Sequence, residues 1–559
     1  MPRTPFYTWL DPNDDPGAEP IDPFALAALF AALSVSLWMF LRWKFQPMQD
    51  LGHHLALSAV VSDWGKRGSL YTELYEPIDP LAANSLLYLL AGYAGRAVGV
   101  TAAVRAAVAF YLAGVPLANL YALRVFGRSA WGAVLAVPLV YTMSFVAGFA
   151  NMLFAAPFMV LAVAVYYRAL REPSYRRMIP AALLFVTVFL CHAHVFLWLG
   201  VLALTMTLAM AGTALTEREA PWRARVHALL TLGITALACV LPSLLLFFRW
   251  YARSFGQGRA AGGVLASTST ASEGFGASYR PVKDLFENLG GYVFKTFTSD
   301  QDLIVILLVV VLVAVALSVS RAHAFAHPPV LELCCGLTLV SYFFLPEGLS
   351  GHDVLGTRQP GIALWFLPAM ISPLPLAVSR VRRSAVVFGI LAITVIGLYV
   401  WHDNLALFER DEVQGLGEVL AAAPPRLRMH YVKMSPGSAY FTWNPLWHVD
   451  KYYMSDALGT VPDTPGILST SAIRFRASAR IHRITEHDDD WPFNEDIWRY
   501  FDLVLVHDWE PDEEDSAEAA VKGTLLAKSG KWELWQTRPQ TRDPSLMPPL
   551  GIPPLHDER

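Results

Sequence analysis

The chain has 559 residues, 54% of them hydrophobic and only 16% charged, with a mean hydropathy of +0.39. Soluble domains carry roughly 25% charged residues, so this composition excludes a string of soluble modules and points to a polytopic α-helical membrane protein. The 43 basic and 47 acidic residues leave a formal charge of −4, which gives no support to a nucleic-acid surface; the four cysteines, Cys191, Cys239, Cys334 and Cys335, lie in apolar runs without CxxC spacing, which excludes a disulfide scaffold.

The chain opens with acids at Asp11, Asp14, Asp15, Glu19 and Asp22, the reverse of a signal peptide's basic start. Residues 1–23 are therefore expected to be a cytoplasmic N-terminal segment, and 24–43 a retained span. A crossing helix needs about 20 predominantly apolar residues, and that ruler gives about eleven candidates. They lie at 24–43, 102–123, 129–146, 149–167, 178–192, 195–214, 227–249, 302–319, 328–345, 360–379 and 384–401. The stretch 83–98 is short and broken by Gly92, Gly95 and Arg96. Arg at a span centre costs roughly 2.5–3.5 kcal/mol, so 83–98 is expected to lie on the membrane without crossing; in the rival reading it crosses and the N-terminus is outside.

Arg-rich short loops stay cytoplasmic. Arg124/Arg128, Arg168/Arg171/Arg176/Arg177, Arg218/Arg223/Arg225, Arg321 and Arg380/Arg382/Arg383 mark such loops, each pair two spans apart. This register puts the long first loop, 44–101, and everything after the last span on the outer side. The expected organisation is a transmembrane domain over 24–402 and an extracytoplasmic α/β domain over 403–538. Residues 539–559 form a Pro-rich tail expected to be disordered. Within 403–538 the pattern predicts a helix at 411–422, a strand at 427–434, a buried parallel strand at 502–506, an amphipathic helix at 514–528 and a strand at 531–537. No Gly-rich phosphate loop opens either helix.

Ionisable groups at membrane depth are rare unless they have a function, and several gather on the expected outer side. Asp50 follows the first span in FQPMQDLGHH, with His53 and His54 close behind. Asp50 and His54, at i, i+4, share a face if the segment is helical; Asp50 is then either the cap of that helix or a working carboxylate. His192 and His194 lie in CHAHVF at an outer turn, as solvating polar groups or as ligands. His352 and Asp353 precede Arg358, whose guanidinium suits a lipid phosphate or an interfacial anchor. Imidazole and carboxylate together suit a divalent metal, for which Asp50, His54, His192 and His194 are the candidates, although their spacing matches no zinc signature.

One span leading into a long outer loop that starts with Gln49-Asp50, a non-crossing helix in that loop, Arg-marked inner turns and an outer C-terminal domain together resemble the GT-C superfamily of integral membrane glycosyltransferases. GFANMLFAAP (148–157), CHAHVFLWL (191–199), TRQPGIALWFLP (357–368) and the tail from PPRLRMHYV through NPLWHVDKYY to KWELWQ are similar to stretches in uncharacterised bacterial members. The group also includes protein O-mannosyltransferases and aminoarabinose transferases. The resemblance implies transfer of a sugar from a polyprenyl-phosphate donor to an extracytoplasmic glycan or protein acceptor at a bacterial inner membrane. It implies Asp50 as the catalytic base or as the carboxylate that orients the acceptor. His53, His54, Asn151, His192, His194, His352 and Arg358 are the candidate substrate-binding residues. Many members carry paired acids in the first loop where this chain has Gln49-Asp50, and Asn151 stands where an acid is usual. The alternatives are a catalytically silent relative that binds carrier lipid or an envelope-assembly partner, and a transporter, which should show polar residues at the midplane of Gly/Pro-broken spans.

Overall fold

The computed structural model describes residues 22–216, 221–256, 277–293, 296–299, 301–319, 330–349, 356–370, 380–461, 472–476 and 491–539. Helices dominate. Among the described residues six are long and apolar enough to cross a membrane by length and composition: Pro23–Arg42, Val100–Val125, Ala150–Arg171, Ala193–Thr216, Trp222–Ser254 and Arg380–Asp411. Leu86–Val98, Gln301–Ala316 and Val330–Ser341 are shorter apolar helices. The described chain divides into two compact units, one of 1–42, 108–145 and 151–402, the other of 43–107, 146–150 and 403–559.

Among its described residues the first unit is helical apart from turns and a two-residue antiparallel pair, β1 (Ala277–Ser278) and β2 (Gly348–Leu349). Its exterior is apolar, with Ile234 66% exposed and Phe248 61% exposed on the Trp222–Ser254 helix. Contiguous apolar surface of that kind suits a lipid solvent rather than water. Several polar groups turn inward and find partners. Arg128 meets Glu332 at 2.5 Å, Asn119 donates to the Trp365 carbonyl at 3.0 Å, and the Trp198 indole donates to Thr338 at 2.9 Å. Gly114 lets Pro157 approach, since a Cβ there would stand 2.7 Å from its ring.

Two expected spans take a different form. The run 129–146 is split into helices Trp131–Leu139 and Met143–Val146. The expected 360–379 starts as helix Gln359–Phe366 and tightens to a 3₁₀ turn at Leu367–Met370, where Pro368 lacks the N–H that α-helical bonding needs; its remainder, 371–379, lies outside the described residues.

The second unit combines the first-loop segment with the C-terminal residues. Helix Leu51–Asp63 is buried almost throughout and packs on Leu86–Val98. Gly92 allows this contact, because a Cβ there would fall 2.6 Å from Val61, and Arg96 donates to the Ser62 carbonyl at 3.0 Å. The Leu86–Val98 helix has 13 residues, giving about 20 Å of length against a hydrocarbon thickness of about 30 Å.

Its sheet has the order β3 (Met429–Val432), β4 (Leu503–His507), β6 (Trp532–Thr537), β5 (Gly523–Ser529). β3 runs parallel to β4, and both other pairings are antiparallel. The apolar runs of β3 and β4 are fully buried, as parallel strands demand, over a core of Trp498, Trp491, Ile497 and Ala519. The helix expected at 514–528 ends at Lys522, and the chain then becomes β5. Gly530, at φ +58°, supplies the left-handed residue for the two-residue loop that folds β5 back on β6.

Candidate functional site

Asp50 sits at the N-cap position of helix Leu51–Asp63, yet its carboxylate makes no capping hydrogen bond. The backbone is held from the other side: Gln49 N–H donates to the Val146 carbonyl at 2.8 Å and Asp50 N–H to the Ala147 carbonyl at 3.1 Å. Gly148 follows at φ +78°, and a Cβ there would stand 2.5 Å from the Asp50 nitrogen, so glycine is needed both for conformation and for room. The Gln49 side chain accepts from the Asn444 N–H at 3.1 Å. Gly52 lies so close to the segment that follows that a Cβ would be 2.0 Å from the His448 carbonyl. These contacts fasten residues 444–450 onto the start of the helix.

The result is a cluster. One ligand atom each from Asp50, His53 and His448 falls within 4.8 Å of the others. His448 Nε2 is 3.6 Å from Asp50 Oδ1, and the His53 and His448 rings meet edge to face with centroids 3.7 Å apart. The Asp50 side chain keeps 32% of its surface exposed while His448 keeps 7%.

Burial holds both His53 and His448 well below the usual imidazole range. Lys451 and then His54 and Lys433 add to it at His53, and His53, Lys451 and Lys433 at His448. Lys451 is itself paired with Asp450 at 3.0 Å, and the Lys433 ammonium lies over the Trp447 ring, 5.1 Å from its centroid. His54 is committed elsewhere. Its Nδ1 shares a hydrogen bond with the Tyr88 hydroxyl at 3.1 Å, and burial pushes its imidazole down to about 4 against the opposing effect of a bond to the Gly148 backbone.

Four sequence candidates lie in the first unit. His192 accepts the Val195 N–H on Nδ1 at 3.3 Å, a capping contact at the start of helix Ala193–Thr216. His194 bonds through Nε2 to the Gln359 amide nitrogen at 2.9 Å, and Arg358 is within its electrostatic reach. The His192 and His194 rings are 6.3 Å apart by centroid. Asn151 is buried near the start of Ala150–Arg171. His352 and Asp353 lie outside the described residues.

Of the metal candidates expected from sequence, Asp50 is grouped here with His53 and His448, whereas His54 turns to Tyr88. His448 and Lys433 escape a reading of the sequence alone. The only signal for His448 was its place in the aromatic segment NPLWHVDKYY, and Lys433 stands directly after β3 with no local motif. No protein-family model matches the chain, and no curated protein matches it.

Proposed function

We propose that the chain is a membrane glycosyltransferase that moves a sugar from a polyprenyl-phosphate donor to an extracytoplasmic glycan or protein acceptor, with Asp50 as the base. The observation that carries this reading is the Asp50 carboxylate: it occupies a cap position without capping, stays partly exposed, and has two histidines beside it. An acceptor hydroxyl is a poor nucleophile until a carboxylate takes its proton. In an inverting step its oxygen bonds to the anomeric carbon, the bond from that carbon to the phosphate oxygen breaks, and its proton passes to Asp50. Polyprenyl phosphate then leaves with the electron pair. The departing anion needs cationic stabilisation; Arg358 is the candidate from the resemblance, and Lys433 is a second cation, after Lys451, whose field reaches His53 and His448.

The proposed setting is a bacterial inner membrane, with about eleven crossings, a cytoplasmic N-terminus and the 403–538 domain on the outer side. The six long apolar helices among the described residues support a membrane setting, and the Arg-marked loops of the sequence support the proposed sidedness.

A second reading, a silent relative that binds the carrier lipid, is favoured by an apolar groove between helices Pro23–Arg42 and Arg380–Asp411, lined by Ala28, Ala31, Val35, Trp38, Leu391 and Val395. The test is to incubate the purified chain in lipid nanodiscs with radiolabelled polyprenyl-phosphate sugars and an envelope extract as acceptor. Label moving to the acceptor is the expected result. Carrier lipid bound without any transfer, for every donor tried, would favour the second reading instead.

A further inference from the structure

We propose that Asp50, His53 and His448 form a binding site for a divalent transition ion of the zinc class. The spacing carries the argument. A direct hydrogen bond between an imidazole nitrogen and a carboxylate oxygen spans roughly 2.7–3.2 Å, whereas His448 Nε2 and Asp50 Oδ1 are 3.6 Å apart. Two ligands held about 2.0–2.2 Å from one tetrahedral ion stand roughly 3.3–3.6 Å from each other, and all three donor atoms here fall within 4.8 Å. The Asp50 to His448 gap is that of two groups on a common centre, and the His53 atom lies near enough to join them.

Hydrogen bonding gives an independent reason. His53 Nε2 and His448 Nδ1 are buried with no hydrogen-bond partner among the described residues. Buried ring nitrogens are normally satisfied, and an ion coordinated by His53 Nε2 satisfies one of them. Neutral imidazole is the ligating form. The chemistry of the set narrows the ion. Two nitrogens and one carboxylate oxygen suit zinc and its neighbours, while calcium and magnesium favour all-oxygen shells. Three protein ligands leave a coordination position open, the pattern of a catalytic rather than a structural site.

The local charges permit a cation. Lys451 is neutralised by Asp450, Lys433 rests on the Trp447 ring, and Asp50 contributes a negative charge to the shell. The backbone is already organised for the site by the Gly52 and Gly148 close approaches and by the Gln49 to Asn444 bond. A carboxylate has two oxygens, so ligation through one leaves base chemistry to the other. Ion binding does not depend on the proposed reaction: metal uptake without transfer counts against the reaction alone, and transfer by metal-stripped protein counts against a catalytic part for the ion alone.

The test uses the purified full chain in detergent, stripped with a chelator and then repleted with zinc or cobalt(II). Elemental analysis should find zinc retained stoichiometrically after gel filtration, and the cobalt form should show the visible ligand-field bands of a low-coordinate nitrogen and oxygen site. His53→Gln and His448→Gln should each weaken affinity by at least about 100-fold, with His192→Gln unchanged as the control. Folded wild-type protein that takes up neither ion overturns the proposal without recourse to any variant. So does undiminished affinity in both histidine variants.

Discussion

His53 and His54 in the second unit and His192 and His194 in the first look alike as sequence, each a histidine pair beside an expected helix end, yet they differ in how their ring nitrogens are used. His192 caps its helix through Nδ1 and His194 bonds to Gln359. His54 shares its Nδ1 with Tyr88. His53 alone of the four has a buried ring nitrogen without a hydrogen-bond partner among the described residues, and it alone is grouped with a carboxylate and a further histidine. A polar residue in an apolar chain therefore becomes a functional candidate through what its partners leave unsatisfied, more than through its rarity.

The largest way to sharpen that contrast is acid. The folded second unit keeps His54 neutral down to about 4, while an unfolded histidine takes its proton near 6.5. Because the unfolded state then binds more protons, stability is intact above pH ~6.5 and is lost as pH falls toward about 4. Full expression of this one shift is on the order of 3 kcal/mol, and His53 and His448 push in the same direction. Thermal unfolding of the metal-stripped protein between pH 7 and pH 4 should show a falling midpoint. His54→Gln, if folded, should flatten that slope.

Gly52→Ala should come next. A Cβ 2.0 Å from the His448 carbonyl forces the 444–450 segment away from the helix, at roughly 1–3 kcal/mol. Chemical denaturation would read the stability loss, and cobalt binding should fall with it. His192→Ala should do least, about 1 kcal/mol for a lost cap, with no change in cobalt spectrum. A large effect of His192→Ala on that spectrum would break the comparison.

Much of the fold could be read from the chain because the hydrocarbon imposes a length. The helices Pro23–Arg42, Val100–Val125, Ala193–Thr216 and Arg380–Asp411 follow from apolar runs near 20 residues. Hydropathy cannot see breaks inside such runs, so Trp131–Leu139 and Met143–Val146 were expected as one helix. In the C-terminal residues, LLAK reads equally as helix or strand. Only its pairing with WELWQ, closed by Gly530, decides for a strand.

Asp50 stood out from its place after the first apolar run, and the choice between cap and working group rested on a hydrogen bond that no sequence displays. Its grouping with His448 was not legible at all. That contact joins segments brought together by Gly52 and by the Gln49 to Asn444 bond, which spans 395 positions. Periodicity carries no information at such range.

The most direct measurement compares release of polyprenyl phosphate and transfer of labelled sugar by the wild-type chain and by Asp50→Asn in the same nanodiscs. Loss of a general base should cut transfer by about 10²–10⁴-fold while donor binding and thermal stability stay close to wild type. Undiminished transfer by folded Asp50→Asn protein would contradict the assignment of Asp50 as the base.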